Sequence, residues 1–182
     1  MKKLLWLLLL LALPAHAQQQ VVAEKSKISF VYRQMNVPAE GVFGKFQATA
    51  RFDPANPAAA QASLVINAAS IDTNSDEGNE IATGADWFDV KRFPEVRFVT
   101  SRVAAAGTGR YALWGNLTVK GHSRPVSAYF TAKREGSDGW RLEGSVPLKR
   151  LDFALGEGDW KDTSTLANTV EVKFSMLLTG QP

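Results

Sequence analysis

The feature that most constrains the fold of this chain is an alternation of apolar and polar residues that recurs along most of its length. In the first run, Ile28, Phe30 and Tyr32 alternate with residues of the opposite phase. A period of two is typical of strands that pack one face and expose the other. Eight runs show this period, over residues 28–32, 46–52, 62–68, 96–100, 111–119, 126–132, 140–148 and 170–178. We therefore predict about eight β-strands.

Turn-forming residues separate the later runs at the intervals typical of an antiparallel meander, over residues 106–109, 121–125 and 135–139. This pattern predicts an all-β fold, either a barrel or a two-sheet sandwich with a filled core. We favour an eight-stranded antiparallel barrel, because closure leaves no unpaired strand edge and an interior of this size holds one small ligand. Alternation alone does not separate a lined cavity from a filled centre.

One segment departs from the strand pattern. A polar stretch from Asp72 to Glu80 is followed by the most helix-like residues of the chain, Ile81 to Asp89. We predict a short helical segment near residues 76–90, with Ser75 or Asp76 at its start. It runs into an aromatic group, Trp87 to Phe93, which we expect to cover one end of the barrel.

Residues 1–17 have the composition of a secretory signal peptide. Lys2 and Lys3 precede an apolar run from Leu4 to Leu13, and the small residues before Ala17 form a cleavage pattern. The run is too short for a helix that spans a membrane, which needs about 20 apolar residues. We therefore expect export, cleavage near Ala17 and one domain over residues 18–182.

The composition of the processed chain excludes several classes of function. Removal of residues 1–17 lowers the formal charge from +3 to +1, and no basic cluster remains that would bind nucleic acid. The chain has no cysteine, and His122 is the one histidine that remains. Disulfides, cysteine nucleophiles and the usual zinc sites are therefore not expected, and we predict no metal and no cofactor.

Two acidic groups are candidate functional sites. Residues 72–78 resemble a calcium loop, but their glycine falls one place late and Thr83 stands where the closing glutamate belongs. Glu157, Asp159 and Asp162 lie near Trp160, and paired carboxylates of this kind can serve as a general acid and base. With no nucleophile motif or histidine beside them, we predict no catalytic residues and no enzyme activity, and we expect Trp160 to pack over one end of the barrel.

Several motifs together resemble the signatures of the YceI-like polyisoprenoid-binding family. They are Phe88-Asp89-Val90 with residues 93–98, residues 115–121, Thr73, Gly41 with Phe46, and Arg150, Asp152, Phe153 and Gly156. The resemblance spans residues 21–179. One departure is Gln34, since the family commonly has a histidine in the first strand.

The resemblance implies a periplasmic, lipocalin-like barrel whose tunnel holds a polyisoprenoid, quinone-like or fatty-acyl lipid. It further suggests a homodimer. Similar domains accompany cytochrome b561-type membrane proteins, which points to quinone-related ligands and to a membrane respiratory partner. Burial of each methylene contributes about 0.8 kcal/mol, so no polar recognition is needed. The alternative is a structural, interaction or stress-related module with a filled core. The candidate tunnel-lining residues are Phe30, Tyr32, Phe46, Phe52, Trp87, Phe88, Phe98, Tyr111, Phe130 and Phe174.

Overall fold

The structure is a computed structural model that describes residues 19–181, so the predicted signal peptide at residues 1–17 lies outside the described residues. Within the described part the chain forms one antiparallel sheet of eleven strands and one α-helix. The strands are β1 (Gln20–Val21), β2 (Lys27–Gln34), β3 (Val37–Phe43), β4 (Phe46–Arg51), β5 (Gln61–Asn67), β6 (Ile71–Asp72), β7 (Glu95–Ala105), β8 (Arg110–Val119), β9 (His122–Glu135), β10 (Gly139–Lys149) and β11 (Thr169–Thr179). The helix α1 spans Asp76–Thr83.

The sheet curls round on itself. Its strands follow the order β4-β5-β7-β8-β9-β10-β11-β2-β3-β6, and β1 pairs with β11. The long strands β7 to β11 form the predicted meander, in which each strand pairs with the next one along the chain. All eight predicted strands are confirmed, and β1, β3 and β6 are additional.

The two edge strands of this order, β4 and β6, are joined through bends in the chain. The N–H of Gly44 donates to the carbonyl of Ser70, and the N–H of Asn67 donates to the carbonyl of Lys45. Strand β3 therefore continues into β4, and β5 continues towards β6. The β3–β6 pair and the β4–β5 pair thus form one bent, two-stranded unit. The chain directly after β4 is held by Gln19, whose side-chain amide makes hydrogen bonds of 2.7 and 2.9 Å with the main chain of Phe52.

The helical segment is shorter than predicted. The side chain of Ser75 accepts a hydrogen bond from Gly78 and caps α1 at the predicted start. The helix ends at Thr83, and the chain continues through turns instead of remaining helical to residue 90. In these turns the N–H of Asp89 donates to the carbonyl of Gly84, and Asp89 has a positive φ of 47° that a helix does not contain.

Residues of the apolar phase meet inside the curled sheet. One buried cluster includes Ile28, Ile66 and Phe153, and another includes Phe52 and Leu178. Between these clusters the inward-facing side chains leave space, and this space is the candidate site. No helix within residues 19–181 is both long and apolar enough to cross a membrane.

Candidate functional site

A cavity of about 600 Å³ lies inside the curled sheet. Inward-facing side chains of β2, β4, β5 and β7 to β11 border it, and most are apolar, as Ile28, Leu64 and Leu142 illustrate. Cavities of roughly 300–1,000 Å³ with mostly apolar walls are typical of small-molecule sites. The filled core that the sequence left open as an alternative does not fit a void of this size, because protein interiors are packed at crystal-like density.

Aromatic rings close one end of the cavity, which we call the β1 end because β1 lies beside it. Phe52 is at the centre, with edge contacts to Tyr111 at 4.9 Å, Phe130 at 5.7 Å and Trp140 at 6.2 Å between ring centroids. Tyr111 also stacks on Phe130 at 5.3 Å. These rings come from β8, β9, β10 and the residue after β4, so they hold the strands together at this end.

The other end, which we call the α1 end, is covered by α1 and by residues 84–94 and 150–168. Phe88 packs edge-on against Phe43 at 5.8 Å, and Trp87 packs edge-on against Trp160 at 5.9 Å. Trp87, Phe88 and Trp160 all border the cavity. The aromatic group at residues 87–93 thus lies over this end, as does Trp160, in agreement with the sequence-based prediction of their placement.

A buried arginine organises the segment at residues 150–168. Arg150 exposes 2% of its surface and borders the cavity. Its guanidinium donates five hydrogen bonds to main-chain carbonyls, those of Leu155, Gly156, Trp160, Leu166 and Ala167. Burial lowers the pKa of the Arg150 guanidinium. One side chain therefore gathers the turns of this segment into a compact cover.

A salt bridge fastens the same cover to the turn between β8 and β9. The Lys120 ammonium lies 3.0 Å from the Glu157 carboxylate and donates at 2.9 Å to the carbonyl of Ala154. The hydrogen bond from Lys120, together with its charge, lowers the pKa of Glu157. On the other side, the N–H groups of Gly156 and Glu157 both donate to the carbonyl of Asp86.

The depressed pKa of Glu157 predicts a pH-dependent stability. Because the folded state holds the carboxylate ionised, the salt bridge contributes fully above the unfolded pKa of about 4.3, and the contribution is lost as the pH falls through the folded pKa. We expect Glu157→Gln to lower the thermal unfolding midpoint at neutral pH, and the difference from the wild type to shrink below about pH 4. Thermal unfolding across this pH range measures the effect.

Asp159 provides a matched control in the same segment, since it is exposed and carries the same charge. We expect Asp159→Asn to leave the unfolding midpoint close to that of the wild type at every pH. A Glu157→Gln protein whose midpoint follows the wild type at neutral pH would contradict the role of this salt bridge.

The structure brings most of the predicted lining residues to the cavity wall. Phe30, Tyr32, Phe52, Trp87, Phe88, Phe98, Phe130 and Phe174 border it, whereas Phe46 and Tyr111 do not. Phe46 packs against the cluster around Ile66, and Tyr111 lies behind Phe130 and Phe52. Both face inwards as their phase requires, but other side chains separate them from the void. That the eight wall residues contact a ligand stays a prediction.

The acidic groups of the sequence serve the local main chain. Asp72 accepts a hydrogen bond from the N–H of Asn74 at 2.8 Å, which stabilises a turn and not an ion site. Hydrogen bonds from Ser164 and Thr165 lower the pKa of Asp162 in the same manner. Within residues 19–181 no three His, Cys, Asp or Glu side chains are grouped as metal ligands would be.

Sequence reasoning missed two contributions to the site. Arg150 was noted only as part of a family motif, although its contacts form the cover. Ala48, Ala50 and Ala62 also border the cavity. Their small side chains at inward positions of β4 and β5 leave the space that larger residues would fill, so alanines in the apolar phase were a signal of a void.

Comparison with known proteins identifies the family. A model of the YceI-like domain matches residues 19–178. A UPF0312 protein of Ectopseudomonas mendocina is 33% identical over 141 residues, which are 75% of this chain and 72% of the relative.

Solved structures share the fold. The crystal structure of BcnA from Burkholderia cenocepacia is 42% identical and has a TM-score of 0.84, with 87% of this chain and 99% of BcnA covered. A polyisoprenoid binding domain from Saccharophagus degradans is 15% identical, with a TM-score of 0.71 and coverage of 90% and 98%. The resemblance that the motifs predicted is thereby confirmed, and this chain belongs to the YceI-like domain family.

Proposed function

We propose that the protein binds a long apolar chain, that of a polyisoprenoid, a quinone-like molecule or a fatty-acyl lipid, within its cavity and carries it in the periplasm. The observation that carries this proposal is the apolar cavity of about 600 Å³, which is bordered by side chains from every strand of the sheet. The polyisoprenoid binding domain from Saccharophagus degradans, which has the same fold, supports it. The predicted signal peptide supports the periplasmic location.

The binding free energy of such a ligand comes from burial of its chain against the apolar cavity wall. A chain of ten buried methylenes gains about 8 kcal/mol before the costs of ordering and association are subtracted. The aromatic rings at both ends limit how far the chain extends. Binding of this kind requires no catalytic group and no cofactor, and we propose none.

The first test is recovery of a lipid. The protein is purified without detergent, extracted with organic solvent, and the extract is analysed by mass spectrometry. We expect one class of long-chain lipid in near-stoichiometric amount. The lipid-free protein should then bind geranylgeraniol, ubiquinone or palmitate saturably, which the fluorescence of Trp87 and Trp160 at the cavity wall reports. No extracted lipid and no saturable binding of any of the three would refute the proposal.

A cavity-blocking substitution tests the location. Ala48 on β4 borders the cavity, whereas the preceding Gln47 is exposed on the opposite face. We expect Ala48→Phe to displace about two methylenes of the ligand, which weakens binding by roughly tenfold or more. Gln47→Phe adds the same ring outside the sheet and should leave the affinity unchanged. Equal affinities of the two variants would place the ligand elsewhere.

A further inference from the structure

The two most exposed large apolar side chains of the described residues lie on one turn. Met35 exposes 71% and Val37 exposes 65% of its surface, both at the connection between β2 and β3. Single exposed apolar residues are common on protein surfaces. Two neighbouring ones at the tip of a hairpin form an apolar projection, which we call the β2–β3 tip, residues 35–37.

The local conformation makes Met35 an unexpected residue at this place. Met35 and Asn36 both have positive φ, 49° and 64°, as a two-residue hairpin turn of type I′ requires. Asn and Gly adopt this conformation readily, whereas a long side chain such as that of Met is disfavoured there. Strained backbone positions cluster at functional sites, so the exposed Met35 side chain is a candidate for a function.

The tip is held rigidly beside the cavity. The N–H of Met35 donates to the carbonyl of Thr165 at 2.8 Å, and the N–H of Ala167 donates to the carbonyl of Arg33 at 2.9 Å. Gln34 forms a bridge with Leu166, and both of these residues border the cavity. The apolar projection is thus attached to the cover at the α1 end.

Solvent-exposed residues border the cavity on the same side of the molecule. Gln34 at the end of β2 and Ser75 and Glu77 around the start of α1 are exposed and belong to the cavity border. A second group, which includes Arg51 and Gln61, lies towards the β1 end. The exposed border residues at the α1 end mark an opening to solvent between the end of β2 and the start of α1, beside the cover. This opening has the apolar projection next to it.

The charge behind the tip fits a phospholipid surface. The exposed Arg33 guanidinium donates at 3.2 Å to the carbonyl of Asn36, so its charge lies directly behind Met35 and Val37. Within residues 19–181 Arg33 forms no salt bridge. In a bilayer surface the apolar tip would lie at the acyl boundary, and the arginine behind it would lie in the phosphate layer.

We propose that the β2–β3 tip inserts into the surface of a phospholipid bilayer and brings the α1-end opening of the cavity to the membrane, from which the lipid is taken up. The occupant of this surface is the bilayer itself. The proposal rests on the proposed lipid-binding function for the transfer step, but insertion of the tip is a property that is measured without a ligand.

The test compares a tip variant with an equally apolar site elsewhere. Met35→Asn with Val37→Thr removes the apolar surface and keeps the turn and strand preferences. Val99→Thr is the control, since Val99 is 55% exposed on β7, outside the tip. Flotation with vesicles of phosphatidylcholine and phosphatidylglycerol measures the partitioning, and the fluorescence of the cavity tryptophans measures uptake of geranylgeraniol from the same vesicles.

We expect the tip variant to partition about tenfold more weakly and to take up lipid correspondingly more slowly, with its equilibrium affinity in solution unchanged. The Val99→Thr protein should behave as the wild type. Wild-type partitioning by the tip variant, or an equal loss in the control, would overturn the inference. If no lipid is extracted and no protein binds geranylgeraniol, ubiquinone or palmitate, but the tip variant alone loses partitioning, the docking surface stands and the proposed function falls.

Discussion

Replacement of Arg150 by methionine is expected to cause the largest loss of stability of any single substitution considered. The change leaves five main-chain carbonyls without their donor, in a segment where Arg150 itself exposes only 2% of its surface. A buried polar group left without its partner costs about 1–3 kcal/mol, so the loss for five carbonyls amounts to at least about 3–5 kcal/mol. For a chain of this size that loss lowers the unfolding midpoint by roughly 6–20 °C.

Urea and thermal unfolding measure this loss, and amide hydrogen exchange shows where it arises. We expect the exchange to accelerate first in residues 150–168, before the strands are affected. Arg150→Lys should lose less than Arg150→Met, because lysine keeps the charge but supplies three donors instead of a planar fork. The exposed Arg124 is the control, and Arg124→Met should change the stability by no more than about 0.5 kcal/mol. Wild-type stability of Arg150→Met would contradict the organising role of the guanidinium.

Replacement of Phe52 by alanine is expected to have the second largest effect. Phe52 exposes 2% of its surface and contacts three other rings at the β1 end. Loss of a buried phenyl ring costs about 3–5 kcal/mol, because the transfer free energy is lost and a void remains. The new void adjoins the existing cavity, so Tyr111, Phe130 and Trp140 lose the ring that they pack against.

The outer face of the sheet offers a matched control. Tyr129 on β9 is aromatic and 57% exposed. We expect Tyr129→Ala to change the free energy of unfolding by about 0.5 kcal/mol or less, and Phe52→Leu to lose less than Phe52→Ala. Urea unfolding of the three variants provides the comparison. If Phe52→Ala and Tyr129→Ala lose equal stability, Phe52 is not the centre of the cluster.

The strands were predictable because their signal is local. Each of the eight alternating runs lies within a strand of the sheet or extends past its end by one residue, since a period of two places every second side chain on the same face. Strand β3 was missed because Pro38 and Gly41 resemble turn residues. Gly41 is required by packing, for a Cβ there would come within 2.8 Å of the Phe30 ring and of the carbonyl of Asp72. That reason exists only once β2, β3 and β6 are side by side.

The sequence predicted which side chains face the interior of the sheet, but not which of them border the cavity. Strand phase identifies which aromatic residues face inwards, and it placed six of its eight predicted side chains at the cavity wall. Trp87 and Phe88, predicted from the aromatic segment before β7, also border the cavity. Phase carries no information about what lies between a ring and the void, so Phe46 and Tyr111 were included although other side chains cover them. The length of the helical segment was overestimated for a related reason. The conformation of residues 84–94 is set by main-chain hydrogen bonds with Ala82 and Gly156, and these do not follow a helical period.

The sequence by itself determined the all-β class, the positions of eight strands, the start of α1 and the family, because each depends on neighbouring residues or on short ordered motifs. Only the tertiary structure decided that the interior is a cavity, that Arg150 gathers the cover over it, and that Met35 and Val37 project beside its opening. These features depend on contacts between segments far apart in the chain. Alternation in the sequence predicts which face of the sheet a side chain lies on. Its contacts on that face are determined only by the curled sheet.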